Sequence, residues 1–258
     1  MQHTVIIYAS KRQLRTLKTQ VSAILTTYAD SALVEVTTQQ LDQLTSEGYS
    51  LEVLENINEI NVGGELVDTS IAPLAVDKAA SGVRGVLRAD DLPHHYLVQF
   101  IGPIKPEWLQ AVEKAGGILR EPLPSFAYVV ELSDAAYATV RNLDFVRWVG
   151  YFEPNLRVSP DLRQSLEEPA SRGVGPQVAK SAAASAVAEP LPPEPLLSTF
   201  TVHFFTHELL QAAIPVIKAL GGDLDETPEA DALVISVSFD PDRPDLPEKV
   251  MALAQIHG

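Results

Sequence analysis

Apolar and polar positions change rhythm in one order that recurs along the chain, and residues 94–153 carry it most clearly. Tyr96-Leu-Val-Gln-Phe-Ile101 is a short β-rich run closed by Gly102-Pro103. Pro106 suits the first turn of a helix whose apolar positions are Trp108, Leu109, Val112 and Ala115, and Gly116-Gly117 supplies its C-terminal stop. Ile118 to Leu123 reads as a second strand, Pro124-Ser125 as a turn, and Phe126 to Leu132 as a third strand. Ser133 then caps a helix with Ala136, Tyr137, Val140 and Leu143 on one side, and Val146 to Tyr151 is a fourth strand. The order β-α-β-β-α-β predicts the ferredoxin-like split arrangement.

Residues 1–62 follow the same order with weaker punctuation. Thr4 to Tyr8 is the first strand and Lys11 to Leu17 the first helix. A hairpin of Val21–Tyr28 and Ala32–Val36 turns at Asp30-Ser31, a helix spans Thr38 to Glu47, and Tyr49 to Leu54 is the last strand. Residues 199–258 begin the order again: strand Thr199 to Phe205, helix Glu208 to Leu220, an acidic segment, strand Ala232 to Val237, and a helix from Pro247 to Ala254. Lys218-Ala-Leu-Gly-Gly222 echoes Lys114-Ala-Gly-Gly117. No fourth strand precedes Gly258, so the pattern predicts a third module cut before its last strand, with an unpaired strand edge open to another chain. The expected fold class is α+β, three tandem ferredoxin-like modules.

Two stretches lack periodicity and read as linkers. Residues 63–93 hold Gly63-Gly64, Gly82, Gly85 and Asp90-Asp91. Residues 154–198 hold eight of the chain's 19 prolines, with Pro190-Leu-Pro-Pro-Glu-Pro195 extended, and Ser181 to Ala188 either spacer or a short Ala-rich helix.

Charge narrows the function. Thirty-four acidic residues against 19 Lys plus Arg give a net charge of −15, which opposes binding to nucleic acid or to an anionic membrane surface. No apolar run approaches the roughly 20 residues that a membrane helix needs, and Met1 to Tyr8 is too short for a signal peptide. With no cysteine, thiol nucleophiles, disulfides and thiolate metal sites are excluded.

No nucleophile–base set, Walker loop or dinucleotide fingerprint is present, so no catalytic residue, cofactor site or metal site is expected. His203 and His207 straddle a strand end and a helix start, which denies them helical metal-ligand spacing, and His94-His95 reads as a solvated pair before a strand. Gly173-Val-Gly175 has no strand before it. Asp90-Asp91, Glu167-Glu168, Asp223 to Asp231 and Asp240-Pro-Asp-Arg-Pro-Asp245 lack calcium-loop spacing and read as solvated turns. Lys11-Arg12, Arg15 and Lys18 form the wet face of the first helix, while Trp108 and Trp148 read as core.

Tyr96-Leu-Val-Gln-Phe100, Gly102-Pro103, Pro106-Glu-Trp-Leu109 and Phe145-Val-Arg-Trp-Val-Gly150 resemble the amino-terminal pro-regions of bacterial subtilisin-like serine proteases. Tyr28-Ala-Asp-Ser-Ala-Leu-Val-Glu-Val36, Gly48-Tyr49 and Val53-Leu-Glu55 are similar to the segment preceding them in such precursors, and residues 199–258 to the last module before the protease. The resemblance implies a secreted, non-catalytic pro-region that assists folding of the following protease domain and inhibits it. Three modules depart from the single one of a minimal pro-region. Two other readings fit the same architecture: a structural surface protein, and a regulatory module that senses a small molecule.

In the middle block, alternation assigns Val98, Phe100, Tyr128, Val130 and Trp148 to the side covered by helices. Leu97, Gln99, Val129, Glu131, Arg147, Val149 and Tyr151 fall on the opposite face, a mixed aliphatic and polar surface expected to bind the protease. Packing between modules of one chain is the competing use of that face, and a one-residue slip exchanges the two sets.

Overall fold

The computed structural model describes residues 1–72, 94–167, 199–224, 228–229, 231–240 and 244–256. The chain is mixed α+β, with several small antiparallel sheets and seven α-helices among these residues. It divides into two units: the described residues through Phe152 form the first, and those from Glu153 onward the second.

The first unit opens with β1 (Gln2–Tyr8), α1 (Lys11–Leu17), β2 (Ala23–Thr27), β3 (Ser31–Thr37), α2 (Thr38–Ser46) and β4 (Ser50–Val53). All pairings are antiparallel, in the order β2-β3-β1-β4. Alternation sends Val5, Ile7, Ala32, Val34 and Val36 into a core with Leu17 and Leu44 from the two helices. Thr37 starts α2 with a capping box, accepting from the Gln40 amide while the Gln40 side chain accepts from the Thr37 amide.

A hairpin follows, β5 (Glu59–Val62) and β6 (Glu65–Asp68). Val62 lies opposite Glu65, so Gly63-Gly64 is a two-residue loop, and both glycines have positive φ, 58° and 98°. That is the backbone a tight hairpin turn requires. The expected first linker is therefore corrected: its opening residues are folded, and the positions read as a break in periodicity are the turn itself. Residues 73–93, including Asp90-Asp91, lie outside the described residues.

The second sheet holds β7 (His94–Phe100), β8 (Ile118–Leu123), β9 (Ala127–Leu132) and β10 (Val146–Tyr151), with α3 (Pro106–Lys114) and α4 (Asp134–Val140) between them. Its order, β10-β7-β9-β8, places first, last and middle strands as the first sheet does. Trp108 and Val112 of α3 and Ala136 and Val140 of α4 close a core over Tyr96, Val98, Phe100, Val130, Leu132 and Val149. Trp108 stacks on Phe145 with ring centroids 5.2 Å apart.

In the second unit, a 3-10 turn (Pro154–Arg157) leads to α5 (Pro160–Glu167). These residues were expected to be linker. Each proline instead sits in a first turn, where its missing N–H costs nothing, and Leu162 packs on the core that follows. One Arg157 guanidinium nitrogen donates to the carbonyls of Ala254 and Ile256 at 3.3 and 3.4 Å. The remainder of that linker, with Gly173-Val-Gly175, Ser181 to Ala188 and the proline run, lies outside the described residues. The third sheet has β11 (Thr199–His203), β12 (Asp223–Leu224) and β13 (Val234–Ser238), ordered β11-β13-β12. α6 (His207–Ala219) and α7 (Leu246–Ala254) complete a core of Phe200, Leu210, Ile217, Ile235, Val237, Val250 and Leu253.

Candidate functional site

The face of the second sheet away from its helices is filled. Leu97, Gln99 and Val129 have no more than 1% of their surface exposed, and Glu131 has 6%. Ile6, Leu33, Ile60 and Val62 of the same unit are also buried, yet belong to none of the helix-side cores. Alternation along β1 and β3 points Ile6 and Leu33 away from α1 and α2. A Cβ built on Gly102 would lie 2.7 Å from Leu33 Cδ2, so the two modules meet with no room for a methyl group. Packing within the chain thus occupies the surface expected to receive a partner.

Polar groups pin this contact. The Thr69 hydroxyl donates to Gln99 Oε1 at 2.8 Å, and Gln99 Nε2 donates to the carbonyls of Glu59 and Ser125 at 3.2 Å each. One side chain thereby ties the β5–β6 hairpin and the β8–β9 turn to β7. Ser125 and Phe126 both have positive φ, 61° and 59°, an uncommon backbone for these residues that the Gln99 bond helps to hold. The Tyr28 hydroxyl donates to the Pro103 carbonyl at 2.8 Å, and burial pushes its pKa up to about 12. Lys105 Nζ donates to Thr26 Oγ1 and the Thr27 carbonyl at 2.7 and 2.9 Å, lying 4.9 and 5.3 Å from the Tyr28 and Trp108 rings.

His94-His95 is corrected from a solvated pair before a strand to the start of β7. His95 is fully buried, its Nε2 lies 3.7 Å from Glu131 Oε2, and Arg120 pairs with the same carboxylate. Glu131 sits opposite His95 in the ladder, which brings the group together.

From Trp148 onward, the sides assigned to β10 from the sequence are exchanged. The register shifts between Val146 and Trp148, a bulge that inverts the parity of everything after it. Val149 and Tyr151 accordingly pack with the helix-side core, and Trp148 leaves it. Trp148 instead donates from Nε1 to the Ile71 carbonyl at 3.1 Å and lies across Gly150, where an added Cβ would collide with its ring. Arg147 donates to Asn58; desolvation lowers its pKa, against the pull of the Glu35 carboxylate. Val98, Phe100, Tyr128 and Val130 lie on the helix side as assigned.

The third sheet has an open face. Thr199, Thr201 and His203 of β11 and Val234 and Ser236 of β13 are exposed, Val234 at 43%. His203 and His207 do not converge on a ligand, since His207 Nδ1 is engaged with the Ala232 carbonyl at 3.1 Å. Among the described residues no group of three or more His, Asp or Glu is placed to hold a metal ion, and no helix is long and apolar enough to cross a membrane.

Residues 63–153 match a family described as a domain of unknown function (DUF8729). The matched stretch begins at the hairpin turn and ends beside β10, so it joins β6 to the second sheet across the Thr69–Gln99 and Ile71–Trp148 bonds. Neither the curated proteins nor the solved structures give a match.

Proposed function

We propose that the chain is a non-catalytic pro-region built of ferredoxin-like modules, which assists the folding of a subtilisin-like serine protease and inhibits it until it is removed. The observation that carries this reading is one connectivity used repeatedly. In both four-stranded sheets the first strand lies between the third and the fourth, the second takes the far edge, and two helices cover one face. The third sheet repeats the order for its three strands. The resemblance carried by Tyr96 to Gly150 supplies the protease as partner and implies a secreted precursor.

Under this reading docking falls on the third sheet. The second sheet's free face is filled by its own unit, whereas Thr199, Thr201, His203, Val234 and Ser236 leave the corresponding face of the third sheet open. A small module with one bare sheet face gains from covering it, because a domain of roughly 60 residues buries only about 60% of its unfolded surface and is marginal alone. Aliphatic Val234, with the hydroxyl groups of Thr199, Thr201 and Ser236 on the same face, suits such a contact.

The test is renaturation of a denatured bacterial subtilisin-like protease with and without this chain, then titration of the active enzyme. The expected result is a higher yield of active protease and saturable inhibition of peptide hydrolysis. Val234→Asp should abolish both while leaving the circular dichroism spectrum intact, since Val234 is exposed. A wild-type chain that changes neither yield nor hydrolysis overturns the reading.

A further inference from the structure

Residues 1–29 contain no aspartate or glutamate, yet hold Lys11, Arg12, Arg15 and Lys18, whereas residues 30–258 hold all 34 acidic residues against 15 Lys and Arg. A chain of net charge −15 therefore has one locally positive stretch. The fold gathers it at an edge of the first sheet, where α1 meets β2, the outermost strand in the order β2-β3-β1-β4.

Between α1 and β2 lies a shallow, open groove lined by Leu14, Lys18, Ile24, Thr26 and Thr27. Leu14 and Ile24 pack against the helix-side core with part of their surface uncovered, so the floor is aliphatic. Lys18 and Thr27 are exposed. Spacings of four and three residues put Lys11 and Arg15 on the same stripe of the helix as Lys18, whereas Arg12, six positions from Lys18, stands about a third of a turn away. On the β2 side, Lys105 Nζ donates to Thr26 Oγ1 and the Thr27 carbonyl at 2.7 and 2.9 Å, which adds a cation there. The acids paired with this edge turn elsewhere. Glu35, opposite Ala23 in the ladder, alternates with Val34 and Val36 of the helix-side core and so takes the other face. Glu47 accepts from Gln20 and Gln43. Among the described residues no carboxylate pairs with Lys18.

We propose that this groove binds a short acidic peptide segment of another protein, seating an aliphatic side chain on Leu14 and Ile24 between carboxylates that meet Lys18 and Lys105. Width decides against larger polyanions. Charge is screened over about 8 Å at physiological ionic strength, so a segment of a few residues meets the positive groove alone. A nucleic-acid duplex or an anionic bilayer extends well past it and meets the acidic remainder of the chain. The groove belongs to a different module from the open face of the third sheet and does not rest on the protease reading.

Fluorescence anisotropy tests it, with the full chain titrated into a labelled peptide of alternating Glu and Leu. A peptide with Gln in place of Glu is the neutral control, and phosphatidylserine vesicles are a second probe. The Glu–Leu peptide should bind saturably and lose affinity as salt rises, and the Gln–Leu peptide should bind about fivefold more weakly or worse. Lys18→Glu should weaken binding by about fivefold or more, while Arg12→Glu, the same change of charge away from the groove, should weaken it by less than about twofold. Nuclear magnetic resonance gives the location: amide signals of residues 14–18 and 24–27 should shift as the peptide binds. Absence of saturable peptide binding, equal affinity for the two peptides, equal losses with Lys18→Glu and Arg12→Glu, or binding to the vesicles but not to the peptide overturns the proposal.

Discussion

Gln99 is a polar side chain with no exposed surface, and it spends its hydrogen-bonding capacity on three separate segments. Gln99→Leu would strand the Thr69 hydroxyl and the Glu59 and Ser125 carbonyls in a dry contact, for a loss of about 2–4 kcal/mol, measurable by urea unfolding. Gly150→Ala collides with the Trp148 ring rather than with a pliant side chain. Its cost should be about 1–3 kcal/mol, with a shift in Trp148 emission as the indole bond to Ile71 breaks. Two phenols set an alkaline limit. Tyr28, through burial, and Tyr96, through burial with a smaller push from Asp134, are both raised to about 12 from 10.0. Below pH 10 both are protonated whether folded or not. Between 10 and 12 the unfolded chain sheds protons that the folded chain retains, so stability falls across that window. Urea midpoints at pH 9 and pH 11 should differ, and Tyr28→Phe should reduce the difference.

At the scale of elements, the bulge in β10 decides what a substitution means. Val149→Asp places a charge in the helix-side core, with an expected loss of about 3 kcal/mol or more and loss of the near-ultraviolet signal, rather than impaired docking on a folded module. The sequence places most helices and strands to within a residue or two, because their signals are local: Thr37, Ser133 and Thr206 accept cap bonds, and Pro106 opens α3. What it misses depends on partners. The bulge between Val146 and Trp148 arises in pairing with β7 and has no residue signature, so alternation alone puts Val149 and Tyr151 on the wrong face. Gly63-Gly64 is ambiguous alone, since the same pair breaks a helix or turns a hairpin; the alternation of Ile60 and Val62, buried, with exposed Asn61 is the signal that resolves it. His95 reads as solvated from the sequence because its neighbours in space, Glu131 and Arg120, are distant in the chain.

Across the whole molecule, the mixed α+β character and the chain order of most elements are legible in the sequence, whereas the use of each bare face is not, since that depends on which modules meet. In the first unit the meeting is held partly by Lys105, which replaces water with two hydrogen bonds and two aromatic faces. Lys105→Met preserves the stem and removes the charge; a loss of about 1–2 kcal/mol is expected, read as a lower urea midpoint with unchanged slope if both modules unfold together. A drop in slope would mean that they unfold separately.

The chain has two tryptophans, and the second sheet lies between them. Trp108 is buried from α3 in the helix-side core, stacked on Phe145, and Trp148 lies on the reverse side against Gly150 and the Ile71 carbonyl. The protein thus carries an optical clock for each side of one sheet. Trp148→Phe leaves emission that times helix docking, and Trp108→Phe leaves emission that times arrival of the segment preceding β7. Stopped-flow traces of the two variants, overlaid, would order the events by which a sheet buried on both sides is assembled.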